Sequence, residues 1–158
     1  DGKVRPELSH LALRPPRDDE RQALVELWIA AWKATYPDID FDARRDWFVR
    51  HLAELEAAGA KTICAFDGAR LMGFVVIDPA TGWLDQIAVR PKSFGAGIAG
   101  KLLGAARRVS PERITLDVNA DNFRALRFYK REGFQRIGAG TNKLSGRETA
   151  KLEWRRGG

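Results

Sequence analysis

Cysteine, methionine and histidine are scarce in this chain of 158 residues. The single cysteine, Cys64, excludes an internal disulfide, a cysteine-rich zinc site and the paired-cysteine signature of nucleobase deaminases. The two histidines, His10 and His51, lack the spacing of metal ligands, so we expect no metal site. No apolar run approaches the roughly eighteen residues of a membrane span, since the longest, 71–77, is strand-sized. Because residues 1–4 contain neither a signal-peptide core nor Met, we expect a cytoplasmic chain trimmed at its N-terminus.

Positive charge is in excess, and it is unevenly distributed. The net charge is +6, with −3 on residues 1–60 and +9 on residues 61–158. A basic half suggests an anionic partner such as a phosphate, a nucleotide or a nucleic acid, and a solvated basic surface is the alternative. The length and the 44% hydrophobic fraction fit one globular domain, so we expect a single domain over residues 1–158.

Hydrophobic periodicity predicts the element order β-α-α-β-β-β-α-β-α-β-β. The predicted strands are 11–14, 61–66, 71–77, 83–89, 114–118, 134–137 and 149–154, and the predicted helices are about 18–35, 42–58, 98–109 and 122–132. Asp42 can cap the second helix, and Asp67-Gly68 can turn a hairpin. Since hairpins join antiparallel strands, the pattern predicts an α/β fold with a mixed central sheet.

Residues 95–100 read Gly-Ala-Gly-Ile-Ala-Gly after a predicted strand and at the start of a predicted helix. With Asp117 about twenty residues further on, this pattern is typical of nicotinamide dinucleotide binding. Two spacings argue against that interpretation. Five residues separate the strand from the glycines, where the pattern needs a tight turn, and only about forty residues follow Asp117, too few for the rest of such a fold. The alternative interpretation is an anion site at the start of the helix. The first amides of a helix lack internal partners and lie at the positive end of the helix dipole, so residues 95–99 can bind a pyrophosphate.

Three segments between Trp83 and Phe134 occur in an order and at a spacing that one family shares. They are residues 83–91, residues 94–99, and Leu116-Asp117-Val118 followed by Asn122, Ala125, Tyr129 and Gly133-Phe134. They resemble the fourth strand, the pyrophosphate loop and the second half-site of the GNAT superfamily of acetyl-CoA-dependent N-acetyltransferases. The resemblance implies a GNAT-like fold, with an acetyl-CoA-binding half at about 83–134 and acceptor-side helices at about 18–58. Phe94 departs from the family, which usually has Gln or Arg there, so we expect a weaker or altered coenzyme contact.

The resemblance also implies which residues bind acetyl-CoA. They are Ile87, Ala88, Val89, Phe94, Gly95, Ala96, Gly97, Ile98, Ala99, Asn122, Ala125 and Tyr129. Family members splay their fourth and fifth strands, so a main-chain amide within residues 87–89 is the expected donor to the carbonyl oxygen.

Acetyl transfer from a thioester to an amine needs a base, a donor to the developing oxyanion, and an acid for the departing thiolate. Tyr129 is the predicted acid, and Asn122, seven residues earlier, is expected on the same helix face near the pantetheine arm. A core aromatic is the alternative for Tyr129, and a helix cap is the alternative for Asn122. Asp85 and Asp117 are alternative bases, acting directly or through water, and each can instead be a solvent-facing carboxylate.

The amine acceptor is left open: a polyamine, an amino acid, an antibiotic, a protein N-terminus and a lysine side chain all fit. Trp32 and Tyr36 are expected to line its pocket, and the aspartates within residues 38–46 can attract a cation or form a solvated surface. We expect no nucleic-acid or membrane partner, and a homodimer fits the resemblance. The alternative function is a non-catalytic acetyl-CoA-binding module.

Overall fold

A computed structural model of the chain describes residues 8–157, and its helices and strands follow the predicted order. The expected trimming at the N-terminus concerns residues outside this range. The strands are β1 (Ala12–Arg14), β2 (Lys61–Asp67), β3 (Arg70–Ile77), β4 (Leu84–Val89), β5 (Arg113–Asn119), β6 (Gln135–Thr141) and β7 (Glu148–Arg155), and the helices are α1 (Arg21–Thr35), α2 (Arg45–Ala57), α3 (Ile98–Val109) and α4 (Phe123–Arg131).

The strands form two antiparallel sheets, ordered β1-β2-β3-β4 and β5-β7-β6. The sheets meet through one parallel bridge between Trp83 and Thr115, which makes the combined sheet mixed. The predicted α/β class and mixed sheet are thereby confirmed. The dinucleotide interpretation of the glycines is wrong, because that fold requires a mostly parallel, doubly wound sheet.

Strand β3 lies at the centre of the molecule, with every residue from Leu71 to Ile77 buried. Helices α1 and α2 cover one face of its sheet, where Trp28 stacks on Phe48 with ring centres 4.3 Å apart. Helix α3 covers the other face with Leu102 and Leu103. Burial on both faces explains why this strand is a continuous apolar run rather than an alternating one.

Two local predictions need correction. Asp42 does not cap α2, which begins at Arg45, because its carboxylate is bound by Lys33 and Arg45. The hairpin between β2 and β3 turns one residue later than predicted, at Gly68-Ala69, because Asp67 still pairs with Arg70.

Cys64 is buried in β2, and burial raises the pKa of its thiol to about 12. A thiol of this kind is unreactive at neutral pH. Across residues 8–157, no helix is long and apolar enough to cross a bilayer, and no group of three or more His, Cys, Asp or Glu residues is placed to hold a metal ion. The cytoplasmic location stays a prediction.

Candidate active site

Strands β4 and β5 contact each other only where they begin. Trp83 bridges to Thr115, whose amide donates to the carbonyl of Gly82 at 2.9 Å. Beyond this point β4 pairs only with β3, and β5 only with β7, in the part of the chain that the structure describes. The strands therefore splay, and a cavity of about 570 Å³ opens between them, lined by residues 87–89 among others. Small-molecule sites have volumes of this order.

One end of the cavity reaches the glycine loop before α3. Gly95 and Gly97 have φ angles of +81° and +91°, which residues with a Cβ rarely adopt. A Cβ on Gly97 would also lie 2.9 Å from Cδ1 of Leu8. The left-handed backbone angle therefore requires glycine at the residue that precedes the helix.

The first turn of α3 presents its amides to this end of the cavity. Ile98 and Ala99 line the cavity, and as the first residues of the helix they have no carbonyl partner within it. Ala96 does not line the cavity, and its amide donates to the carbonyl of Ser93 at 3.1 Å. Of the predicted loop residues, Ala96 is thus the one that the fold sets apart from the cavity.

The ring of Phe94 makes a cation–π contact with Arg124. The guanidinium of Arg124, at the start of α4, lies 3.8 Å from the ring centre, and its Nη2 donates to Oγ1 of Thr35 at 3.2 Å. No carboxylate pairs with Arg124 within residues 8–157, and burial lowers its pKa. All three residues line the cavity. Arg124 therefore brings an uncompensated positive charge to a loop where Phe94 supplies none.

Tyr129 lies on α4 and is buried between aromatic rings. Its ring centre is 5.2 Å from those of Phe128 and Phe134, and it lines the cavity. Its hydroxyl has no hydrogen-bond partner among the described residues, and burial raises its pKa. The side chain is thus a protonated donor at working pH, with its hydroxyl free for a ligand.

Asn122 caps α4, as its alternative role predicts. Its Oδ1 accepts a hydrogen bond from the amide of Ala125 at 3.3 Å. Both residues line the cavity, so the cap also lies where a ligand in the cleft would contact it.

Asp85 is the extra residue of a β-bulge. Val76 pairs with Gln86 and Ile77 pairs with Leu84, so nothing on β3 opposes Asp85. Its carboxylate accepts hydrogen bonds from Trp83 Nε1 at 3.0 Å and from Gln86 Nε2 at 3.1 Å. It lines the cavity, and only 15% of its side chain is exposed.

His51 on α2 completes the surroundings of Asp85. Its Nε2 lies 2.6 Å from Oδ2 of Asp85, and its ring stacks on Trp47 with centres 4.6 Å apart. His51 itself does not line the cavity.

Asp117, the alternative base, lines the cavity from the opposite wall. It is exposed on β5 and faces Lys151 in register on β7, with no ion pair formed. The aspartates of residues 38–46 do not line the cavity.

Trp32 and Thr35, at the end of α1, also line the cavity. Tyr36 stacks on Trp32 from outside the cavity, and its hydroxyl donates to Asp121 at 2.6 Å. Burial and then the Asp121 carboxylate raise the pKa of Tyr36. Arg147 also binds Asp121, at 2.7 Å. Trp32 therefore lines the cavity, whereas Tyr36 lies outside it and ties α1 to the segment before α4.

Residues 21–134 match the model of the acetyltransferase (GNAT) family. The chain belongs to this family. It is therefore an acyltransferase of the GNAT type, and the resemblance of its three sequence segments is confirmed. No curated protein matches the chain significantly.

Solved structures share the GNAT fold over nearly the whole chain. Apo YjaB from Escherichia coli is 24% identical, with a TM-score of 0.71 over 91% of this chain and 97% of its own. The PaiA N-acetyltransferase from Thermoplasma acidophilum, in complex with coenzyme A, is 17% identical, with a TM-score of 0.75 over 92% and 98%. A GNAT acetyltransferase from Bacillus cereus is 20% identical, with a TM-score of 0.68 over 92% and 96%.

Two residues around this cavity were not singled out from the sequence. His51 carried no signal beyond its isolation, and Arg124 is one of a group of basic residues in the second half of the chain that the sequence does not rank as contacts of the coenzyme phosphates. His51 contacts Asp85 and Arg124 contacts Phe94, and in each pair the two residues are about thirty positions apart in the sequence.

Proposed function

We propose that the chain transfers an acetyl group from acetyl-CoA to a primary amine of a small molecule or peptide, by direct attack. The observation that carries the proposal is the cleft between β4 and β5, which runs from the glycine loop to Asp85 and Tyr129. Its walls combine free helix amides, unpaired strand edges, a carboxylate and a phenol, the groups that this transfer requires.

The phosphate-bearing part of the coenzyme is assigned to the glycine loop. Amides of Ile98 and Ala99 point from the positive end of α3, and Gly95 and Gly97 allow an anion to approach closely. Arg124 supplies the positive charge that Phe94 lacks, and its contact with Thr35 gives way to phosphate oxygens.

The pantetheine arm is assigned to the splayed strands. Past the bridge, the facing edges of β4 and β5 lack strand partners, and buried backbone groups need hydrogen bonds. A bound thioester supplies the acetyl group, and an amide within Ile87, Ala88 and Val89 donates to the oxyanion as it develops. Asn122 and Ala125 contact the arm from α4.

Asp85 accepts the proton of the attacking amine. Both carboxylates line the cavity, but only 15% of the Asp85 side chain is exposed, whereas Asp117 is exposed to solvent, which favours Asp85. As the amine nitrogen bonds to the carbonyl carbon, the carbon–sulfur bond breaks. The Tyr129 hydroxyl gives its proton to the departing thiolate and regains one from solvent.

Ligand-dependent thermal unfolding tests the coenzyme assignment. A ligand at 100 times its dissociation constant adds about 2.7 kcal/mol, which raises the melting temperature of a chain this size by about 5–10 °C. We expect this shift with acetyl-CoA and CoA and none with NAD or NADP. No shift with either coenzyme A species would contradict the proposal.

Thiol release with a panel of primary amines tests the reaction. Because Cys64 is buried, the native chain adds no thiol signal of its own. Amine-dependent release is expected. Coenzyme binding without release for any amine would favour the binding-module alternative.

A further inference from the structure

Asp85 is held by three donors, one of which is the imidazole of His51. Trp83 binds Oδ1, while Gln86 and His51 both bind Oδ2. An ionised carboxylate only accepts, so the shared hydrogen lies on Nε2 of His51. Nδ1 of the same ring has no hydrogen-bond partner among residues 8–157. The ring can therefore take up a second proton without losing its contact with Asp85.

Asp85 stands between His51 and the cavity. Asp85 lines the cavity and His51 does not, although 26% of the His51 side chain is exposed. The stack on Trp47 fixes the plane of the imidazole. His51 is thus placed to exchange protons with solvent and to act on the cavity through Asp85 alone.

Few other charges act on this pair. Lys151 lies nearby, with Nζ 5.9 Å from the ring centre of Trp83, and Asp117 faces the same cavity. On α2, Arg50 and Glu54 are exposed, and neither bonds to the imidazole. In the described chain, Asp85 is the one charged group in contact with His51. Protonation of the ring changes the charge of the pair from −1 to 0.

We propose that His51 is a positioning residue that sets the charge of Asp85, and that the site thereby selects acceptors carrying an ammonium group. The proposal rests on the proposed function. With His51 neutral, the negative pair attracts a protonated aliphatic amine. Asp85 takes one proton from the ammonium before the nitrogen attacks and passes it to solvent, and it takes the second proton as the amide forms. With His51 protonated, Asp85 is already ion-paired, so the ammonium loses its attraction and its proton acceptor.

The test is the pH profile of kcat/KM for an aliphatic primary amine at saturating acetyl-CoA. In the wild type, kcat/KM falls about tenfold per pH unit on the acid side, within the range of about pH 5–8 where imidazoles titrate. H51Q keeps a neutral donor to Asp85 but cannot be protonated, so its profile is flat over that range. The fall lies in the KM for the amine, and the affinity for acetyl-CoA is unchanged.

The matched control is H10Q, which removes the other histidine, exposed and far in sequence from the pair. It is expected to retain the wild-type profile. The proposal is overturned if kcat/KM of H51Q still falls at low pH as in the wild type. It is also overturned if this fall is lost in H10Q and kept in H51Q.

A second measurement does not depend on activity. Nuclear magnetic resonance follows the titration of the His51 ring in the wild type and in D85N, at saturating coenzyme A. Loss of the carboxylate is expected to move the midpoint to lower pH, because a contacting negative charge favours the charged form of an imidazole, and an unchanged midpoint overturns the proposal. If no amine releases thiol but the midpoint still moves, the proposed function fails while the coupling of His51 to Asp85 stands.

Discussion

Removal of the Tyr129 hydroxyl separates its chemical role from its structural role. The ring packs against Phe128 and Phe134, and Phe in its place keeps these contacts. The hydroxyl makes no hydrogen bond to the described protein, so Tyr129→Phe breaks none. Removal of a buried hydroxyl without a partner is neutral or slightly stabilising, within about 1 kcal/mol of unfolding free energy.

The raised pKa of Tyr129 limits how much turnover the Tyr129→Phe variant is expected to lose. General acid catalysis contributes most when the pKa of the acid lies near the working pH. Burial raises the pKa of Tyr129, so transfer of its proton to the sulfur is less favourable than transfer from an acid whose pKa lies near the working pH. We expect turnover to fall ~10- to ~1000-fold, towards the lower end, where tenfold equals about 1.4 kcal/mol of activation free energy.

The assay measures kcat by thiol release between pH 6 and 9, together with acetyl-CoA affinity and melting temperature. Because Tyr129 does not titrate in this range, the ratio of wild-type to variant kcat should be constant. The control is Tyr36→Phe, which removes the hydroxyl bonded to Asp121 and should cost about 1 kcal/mol of stability but no turnover. Unaltered turnover in Tyr129→Phe would exclude this residue as the acid.

Three further predictions concern coenzyme binding and acid stability. Gly97→Asp should weaken acetyl-CoA binding, measured by calorimetry, far more than Gly97→Asn. The two side chains have the same shape and cause the same backbone strain, but only Asp repels a phosphate. Equal affinities of the two variants would place the phosphate elsewhere. Arg124→Ala should weaken binding about 10- to 100-fold and reduce its salt dependence, with Arg124→Lys intermediate, and an unchanged affinity would contradict the phosphate role. Glu20, bonded by the Arg14 guanidinium and then by the Arg17 amide, has its pKa lowered from 4.5 to about 2. Its stabilising contribution is therefore present above about pH 4.5 and lost as pH falls towards 2, so Glu20→Gln should flatten the melting temperature over that window, and an unchanged acid dependence would refute this.

Local sequence signals predicted the elements that local signals control. Helix α3 begins and ends at the predicted residues, because glycines break the chain before Ile98 and an apolar stripe continues to Val109. The start of α2 was wrong because ion pairs with Lys33 and Arg45 compete for the Asp42 carboxylate. Capping rules contain no information about such partners.

The cleft itself was available from sequence only through family resemblance. Periodicity locates β4 and β5 but does not reveal that their pairing stops after Trp83 and Thr115. The same limit applies to Phe94. The sequence shows that this position lacks the Gln or Arg that is usual in the family, but only the fold shows that Arg124 lies on the Phe94 ring.

The bulge at Asp85 explains why the pair with His51 lies beyond sequence reasoning. Along a regular strand, Leu84 would share a face with Gln86, towards α1, and Asp85 would face α3. The extra residue shifts this alternation, so Leu84 packs in the core beneath α3 while Asp85 bonds to His51 on α2. One inserted position therefore moves a carboxylate from the face of the sheet that α3 covers to the face that α1 and α2 cover. Alternation alone predicts the wrong face, and only the register against β3 corrects it.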